Sequence, residues 1–443
     1  MTQHLELKGY WWLPTNPQEQ LAGILTYHPH EKISLEIIGA FNRNHPEQLF
    51  AEHIEQQEII HGITSDAQEI TLINCHPSTS WNLSVNFPMT KYRCQYLLVG
   101  QHINEINQAK FFKAHVSIPV LDQWCPPHTI RTTLHHKKND AHTLEKTTLE
   151  IYTNTPPISK VELNENTTLS LVSAPEYHLE PLSPTIRQRT FIEIQKKKDT
   201  TIKDILADIH LYEQFLTLAT LQNVQCNEIT LFDKTYYQNI HDGDKHYHPI
   251  KLIYIQQNNN TPQRNKTKYL FTYSTIAPQY PEIIKRWYQD KEPIAPIRTH
   301  LVQSIAPIQN IFTSIDYLIV IQALEGFWWR FRDEAYKQKN NIPKGTRTNL
   351  KNLIIELKKE YEDIVAIAKT EIDIEAAVDS RHYYSHFVNK SQKPHTLDGF
   401  ELYKLTQQLR LLLICCLLNF IGFNPTTINQ ILNESESDLV HLE

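Results

Sequence analysis

The sequence predicts an α+β multidomain chain: a β-rich, sandwich-like N-terminal domain with an α/β extension, followed by an all-α helical bundle. Three observations predict it. Short β-branched runs separated by turn residues fill the first part of the chain. A proline-marked stretch from Pro175 through Pro184 then precedes a mixed region. From about residue 306, apolar residues recur at the three- and four-residue spacing of buried helix faces. The domain boundaries read as 1–195, 196–305 and 306–443.

In the first segment Ile33–Ile38, Glu69–Ile73, Tyr96–Val99 and Thr147–Tyr152 have strand composition, and an antiparallel sandwich or strongly bent sheet would pair them. Trp11, Trp12, Trp81 and Trp124 read as sheet core, with a ligand-binding aromatic surface as the alternative. The extension should hold a strand at Thr190–Gln195, a helix over Ile202–Leu221, and strands near Glu228–Phe232, Ile250–Gln256 and Tyr269–Tyr273. Lys196, Lys197 and Lys198 with Arg187 and Arg189 form a basic cluster, read as a solvated face rather than an RNA contact.

The helical segment opens with a helix over roughly Ile311–Lys337. A second carries Leu350, Leu353, Leu357, Tyr361, Ile364 and Ala368 on one face, with Thr348 as its N-cap. A third runs from about Glu375 to Asn389. Thr396 then caps a fourth, which is apolar all round from Leu411 to Leu418 and should lie at the centre of the bundle. Gly422 suits the left-handed residue that ends it, and Asn424-Pro425 can cap and start a short last helix.

Composition removes several classes of function. Formal charge is −6, so contact with nucleic acid would depend on local basic patches. Glycine is scarce, ten residues, and no G-x-x-x-x-G-K-S/T or G-x-G-x-x-G phosphate loop occurs. The six cysteines are scattered without a C-x2-C pair, unlike a secreted disulfide scaffold. The first residues lack a signal pattern, and the longest apolar run falls short of the roughly 18–20 residues of a membrane span. A soluble cytoplasmic protein with no membrane contact is the expectation.

The chemistry concentrates in Arg381-His382-Tyr383-Tyr384-Ser385-His386. A histidine can remove or return the proton of a ribose 2′-OH, and a guanidinium can hold phosphate oxygens as charge builds on them. RNA carries its own nucleophile, so cleavage needs neither metal nor cofactor. Five residues on a helix amount to about 7.5 Å of rise and about 140° of rotation, which points Arg381 and His386 to different sides. Two arrangements bring them together: the long Arg side chain curls round, or a second copy of the helix approaches. A homodimer would solve the geometry.

Three other readings accompany this one. His382 and His386 are an i/i+4 pair that could ligate zinc in a hydrolase, but Tyr383 stands where a zincin carries its Glu and no third ligand is evident. Cys125-Pro126-Pro127-His128 and His246-Tyr247-His248 lack the second pair that a structural zinc site needs, so no metal is assigned. A basic run of Arg330, Arg332, Lys337, Lys339, Lys344, Arg347 and Lys351 exceeds its local acids, Asp333 and Glu334, by five charges. From it Arg330, Arg332, Lys344 and Arg347 are the RNA-binding candidates, with an ordinary solvated loop as the alternative reading of the run.

Beyond this chemistry, the motif segment resembles that of the HEPN ribonucleases, in which an Arg precedes a His by a short spacer. More narrowly, the chain resembles the Apea-like HEPN proteins of bacterial anti-phage defence. The supporting residues are Ala323-Leu324-Glu325-Gly326-Phe327, Asp379-Ser380 before Arg381, and Ile421-Gly422-Phe423. Toward the N-terminus they are Gly9-Tyr10-Trp11-Trp12-Leu13-Pro14, Gly23-Ile24-Leu25, Gly39-Ala40-Phe41 and Val99-Gly100-Gln101-His102. His382 departs from the family, many members of which carry Asn after the Arg.

The resemblance implies a HEPN bundle and a metal-independent endoribonuclease leaving 2′,3′-cyclic phosphate ends. His386 would be acid or base and Arg381 the phosphate holder, with His382, Tyr384 and Glu325 in support. Glu325 would either order Arg381 through a salt bridge or serve as a buried structural residue. Implied partners are RNA such as tRNA, a second copy joined through the HEPN domain, higher oligomers, and a phage-derived trigger sensed by the N-terminal domain. The implied role is abortive infection. The competing expectation is a non-catalytic protein that keeps the bundle for RNA binding or dimerisation.

Overall fold

A computed structural model of the 443-residue chain describes residues 4–29, 31–41, 55–78, 89–126, 130–138, 144–153, 157–178, 180, 185–240, 243–256, 269–289, 291–305, 312–343 and 345–434. The chain forms two compact units. One comprises residues 1–122, 126–209 and 225–258; the other comprises 123–125, 210–224 and 259–443. Residues 196–305 are therefore divided between them.

The first unit begins with β1 (Leu5–Leu13), β2 (Asn16–His28), β3 (Lys32–Ile38), β4 (Gln57–Thr64), β5 (Glu69–Pro77) and β6 (Met89–Val99). They pair antiparallel in the order β6-β3-β2-β1-β4-β5, and β5 returns to β6 from Ile70↔Val99 to Pro77↔Tyr92, closing a barrel. Closure follows from the length of β6. Its first half pairs with β3 on the edge opposite β5, and its second half is free on that edge to take another strand, Ile250–Tyr254. Alternation fixes the faces: Ile33, Leu35 and Ile37 of β3 point into the core, while Glu36 faces outward and meets its cross-strand partner Lys91 at 3.3 Å. Trp11 is fully buried inside the barrel against Gly62, where an added Cβ would lie 2.3 Å from the indole ring.

The unit continues with β7 (Lys110–Ser117), β8 (Ile130–Lys138), β9 (Leu144–Thr153), β10 (Pro157–Glu162), β11 (Thr167–His178), β12 (Thr185–Thr201), β13 (Glu228–Phe232), β14 (Tyr237–Asn239), β15 (Lys245–Tyr247) and β16 (Ile250–Tyr254). From β6 the order is β16-β13-β7-β12-β11-β10, making a twelve-stranded sheet, while β8–β9 and β14–β15 form separate ribbons. The β-rich domain, expected as a sandwich or strongly bent antiparallel sheet, is thus a sheet bent into a closed barrel with a sheet extension. Lys196 is not on a solvated face: it is buried, 2.5 Å from Asp208 and 2.9 Å from Thr167 Oγ1. Trp81 lies outside the described residues.

Helices α1 (Leu121–Trp124) and α2 (Ile202–Thr220) contribute residues to both units. The second unit continues with α3 (Tyr273–Ile276), α4 (Tyr280–Gln289), α5 (Lys291–Ile305), α6 (Ser314–Phe331), α7 (Asp333–Lys339), α8 (Leu350–Glu360), α9 (Val365–Ala368), α10 (Ile374–His386), α11 (Gly399–Phe420) and α12 (Pro425–Glu434). Trp124 is core here, with its indole N–H on the Phe271 carbonyl at 2.9 Å.

That contact explains why Tyr269–Tyr273 is not a strand. Phe271 N–H donates to Ala219 at the end of α2, so this buried backbone is satisfied without a sheet partner. Residues 311–337 are likewise not one helix. Arg332 at φ −130° breaks them into α6, which starts at a Thr313/Asp316 capping box, and α7. The helix expected over 350–368 stops at Glu360 and resumes as α9. Thr348 does not cap α8, because its hydroxyl is on Asp333 at 2.6 Å and Asn349 accepts the Asn352 N–H instead. Thr396 does not cap α11 either; Asp398 holds that position.

Leu409 through Leu418 of α11 are buried without a break, and the helix packs on α5, α6 and α12. Gly422, at φ +107°, turns the chain out of it. Asn424 then accepts the Thr427 N–H to open α12. Among the described residues no helix is long and apolar enough to cross a membrane.

Candidate active site

Helix α10 begins at Asp373, whose carboxylate accepts the Ala376 N–H at 2.9 Å. Its buried face is made of small residues, Ala376, Ala377 and Ser380, together with Asp379. That face packs on α6 and α8, and Tyr317 of α6 donates its hydroxyl to the Ala377 carbonyl. The helix ends at His386, three residues before the expected stop, because Phe387 adopts a left-handed conformation at φ 52°.

The loop after α10 is stapled back onto it. The Asp379 carboxylate accepts the His395 N–H at 3.2 Å and pairs with Lys393 at 3.3 Å. Ser380 Oγ accepts the Leu397 N–H, and Tyr384 donates its hydroxyl to the Leu397 carbonyl, each at 3.0 Å. Tyr384 is therefore bonded to the loop backbone.

Arg381 Nη1 lies 2.7 Å from His386 Nε2. The guanidinium curls along the helix to reach the imidazole, so one chain suffices to converge them and the rotation along α10 is no argument for a dimer. A guanidinium has donors and no acceptor, so Nε2 must offer its lone pair. His386 is thereby assigned as the neutral ring with its proton on Nδ1. The other nitrogen, Nη2, lies 3.4 Å from Oε2 of Glu325 on α6, a carboxylate only 7% exposed. Glu325 is at once buried and in contact with Arg381.

His382 lies one turn before His386, ring centroids 5.8 Å apart. Burial, followed by the positive charges of Lys393 and Arg381, pushes its pKa below the ordinary imidazole value. The end of α10 thus gathers a cation braced by a buried carboxylate, an imidazole lone pair at its tip, and a second imidazole biased toward the neutral form. Such a set can hold an anion and take a proton beside it.

The RNA-binding candidates separate. Arg332 is engaged by Glu360 through Nε at 2.9 Å and Nη2 at 2.8 Å, which raises its pKa above the usual guanidinium range. Arg330 donates to the Pro293 carbonyl at 2.6 Å, and Arg347 lies over the Trp329 ring at 3.8 Å. Lys344 lies outside the described residues. Lys337 pairs with Asp333 and Lys351 with Glu375. Glu360 and Glu375 reach this run from α8 and α10, which a count of neighbouring acids in the sequence does not include.

Among the described residues no three His, Cys, Asp or Glu side chains converge as metal ligands. The Cys125 thiol is buried and pushed up to about 12. Sequence reasoning gave no role to Asp379, Ser380 or Lys393, which fix the loop beside the motif, nor to Phe387. The one available signal was the polar pair directly before Arg381.

Residues 6–287 match the family model for ApeA N-terminal domain 1, and residues 318–427 match that for Apea-like HEPN. The second match contains Glu325, Arg381 and His386. No curated protein and no solved structure matches the chain. HEPN domains are generally ribonucleases that dimerise and bind RNA. With most of its length covered by these two models, the chain belongs to the ApeA family of HEPN nucleases of anti-phage defence.

Proposed function

We propose that the protein is a metal-independent endoribonuclease whose reaction centre is the Arg381–His386 pair. The observation that carries this reading is the 2.7 Å contact between a braced guanidinium and an imidazole lone pair at the open end of α10. An RNA phosphate takes the place of Nε2 on Arg381, whose donors then bond its non-bridging oxygens and stabilise the charge that builds there. His386 Nε2, released, accepts the proton of the adjacent 2′-OH. The 2′ oxygen attacks phosphorus, the 5′ oxygen leaves, and the products are a 2′,3′-cyclic phosphate and a 5′-OH.

Returning a proton to the leaving oxygen needs an acid. His382 is a poor one, since its surroundings favour its neutral form. The His386 imidazole of a second copy suits the task once it is free of Arg381 and carries a proton on Nε2, which gives a dimer joined through the helical unit a chemical purpose. A zinc hydrolase using His382 and His386 fits less well, because the nitrogen a metal would take already faces the Arg381 cation. Arg330 and Arg347 remain the RNA-binding candidates on the basic run, whereas Arg332 serves its carboxylate.

In the cell this activity would act by abortive infection, with the barrel unit sensing a phage-derived trigger and tRNA among the RNAs cut. Purified Arg381→Ala and His386→Ala proteins should keep the far-UV spectrum of the wild type and lose RNA cleavage. Undiminished cleavage by both would sink the assignment.

A further inference from the structure

Phe387 adjoins the motif and packs on almost nothing. Its side chain is 90% exposed, the most exposed large apolar side chain among the described residues, ahead of Ile315 and Phe400 at 64%. Its backbone stands at φ 52° and ψ 35°, a region where bulky residues are outliers and Gly or Asn the usual occupants. The position is nevertheless fixed, since the Phe387 N–H donates to the Tyr383 carbonyl at 2.9 Å and ends α10. The fold therefore holds an aromatic ring out into solvent through a strained backbone and gains no burial from it. Strain of this kind gathers at functional sites.

The adjoining chain supplies the charge near the ring. Between Ser380 and Leu397 the sequence contains no Asp or Glu, while Arg381, Lys390 and Lys393 supply cations and His382, His386 and His395 supply imidazoles. Each of these cations also has a carboxylate partner: Arg381 has Glu325, Lys390 has Asp398 and Lys393 has Asp379. The Lys390 pair is exposed and therefore weak, so a phosphate can displace its carboxylate. An aromatic ring among cations is how single-stranded nucleic acid is bound: phosphates meet the charges and unpaired bases stack on the ring.

We infer that Phe387 is a stacking platform for an unpaired nucleobase next to the scissile phosphate. The inference rests on the nuclease reading above and adds the residue that holds the substrate's base. Phe387 directly follows His386 in the chain, so a base on this ring belongs to a nucleotide adjoining the linkage whose 2′-OH His386 deprotonates. In a duplex both faces of that base are already stacked and cannot reach the ring.

The test is Phe387→Gly together with Phe387→Trp, assayed on a short single-stranded RNA carrying a fluorescent purine analogue and on the same strand annealed to its complement. Glycine relieves the backbone strain, so that variant should melt at a higher temperature than wild type while KM for the single strand rises about tenfold, the equivalent of one ~1.4 kcal/mol stack. Phe387→Trp should restore KM and quench the analogue. Binding of the same strands in a His386→Ala background provides a readout free of turnover. Equal KM and equal quenching in wild type and Phe387→Gly would overturn the platform while leaving the nuclease intact. So would a fall in self-association with RNA binding unchanged, which would make the ring a contact between copies. A wild type inert on every RNA would instead overturn the nuclease reading itself.

Discussion

Replacing Glu325 with Gln asks whether the buried carboxylate positions the guanidinium. Oε2 stands 3.4 Å from Arg381 Nη2, and the two side chains keep 9% and 21% of their exposure. At that distance, with an effective dielectric near 20, the gross attraction is about 5 kcal/mol. Desolvation of a nearly buried carboxylate cancels several kcal/mol of it. A single long contact, rather than a bidentate pair, then leaves a net coupling of about 1–2 kcal/mol. Glu325→Gln alone should change stability little, because the buried charge is removed together with its attraction. Arg381→Ala alone should destabilise by about 2 kcal/mol, since it strands the Glu325 carboxylate, and by less in the Glu325→Gln background. Urea midpoints of the four proteins in this double-mutant cycle give the coupling. Single-turnover RNA cleavage by Glu325→Gln should fall about tenfold, the consequence of ~1.4 kcal/mol lost from guanidinium placement. A coupling under about 0.3 kcal/mol, or undiminished cleavage by Glu325→Gln, would refute this role.

Three further outcomes follow from named contacts. His382 has a depressed pKa in the folded protein, so the unfolded chain binds its proton first as pH falls. Stability is therefore fully present above the unfolded value near 6.5 and lost below it, and His382→Gln should flatten the urea midpoint between about pH 7.5 and about pH 5.5; equal slopes would contradict this. Arg332→Ala breaks the pairing with Glu360 and should lower stability by about 1 kcal/mol with RNA affinity unchanged, whereas Arg347→Ala should weaken RNA binding and reduce its salt slope by about 1; filter binding across a salt series separates them. Gly62→Ala drives a methyl into the Trp11 ring and should cost about 1–3 kcal/mol, read as a lower thermal midpoint of the barrel unit; an unchanged midpoint would mean that the ring has room to move.

Local signals were legible and distant partnerships were not. Glu228–Phe232 and the helix from Ile202 follow their own residue patterns, and the structure places them where those patterns fall. Barrel closure depends on β5 returning to β6, a pairing that no periodicity within either strand reveals. Tyr269–Tyr273 has strand composition, but Ala219 and Trp124 satisfy the Phe271 backbone before any strand can. Arg332, where the helix breaks, likewise has a partner far along the chain, Glu360. At the motif, spacing located Arg381 and His386 on one helix, and helical rotation alone made them diverge. Side-chain length is what brought them to 2.7 Å. Glu325 was legible as a charge on an apolar helix, whereas Phe387 was hidden because its importance lies in a backbone conformation.

The chemistry of the cut ends tests the central claim most directly. RNA treated with purified protein in excess chelator should yield fragments ending in 2′,3′-cyclic phosphate and beginning with 5′-OH, absent from the His386→Ala reaction. Fragments with 3′-OH and 5′-phosphate ends, or cleavage abolished by the chelator, would contradict a mechanism in which a guanidinium and an imidazole alone act on the ribose and its phosphate.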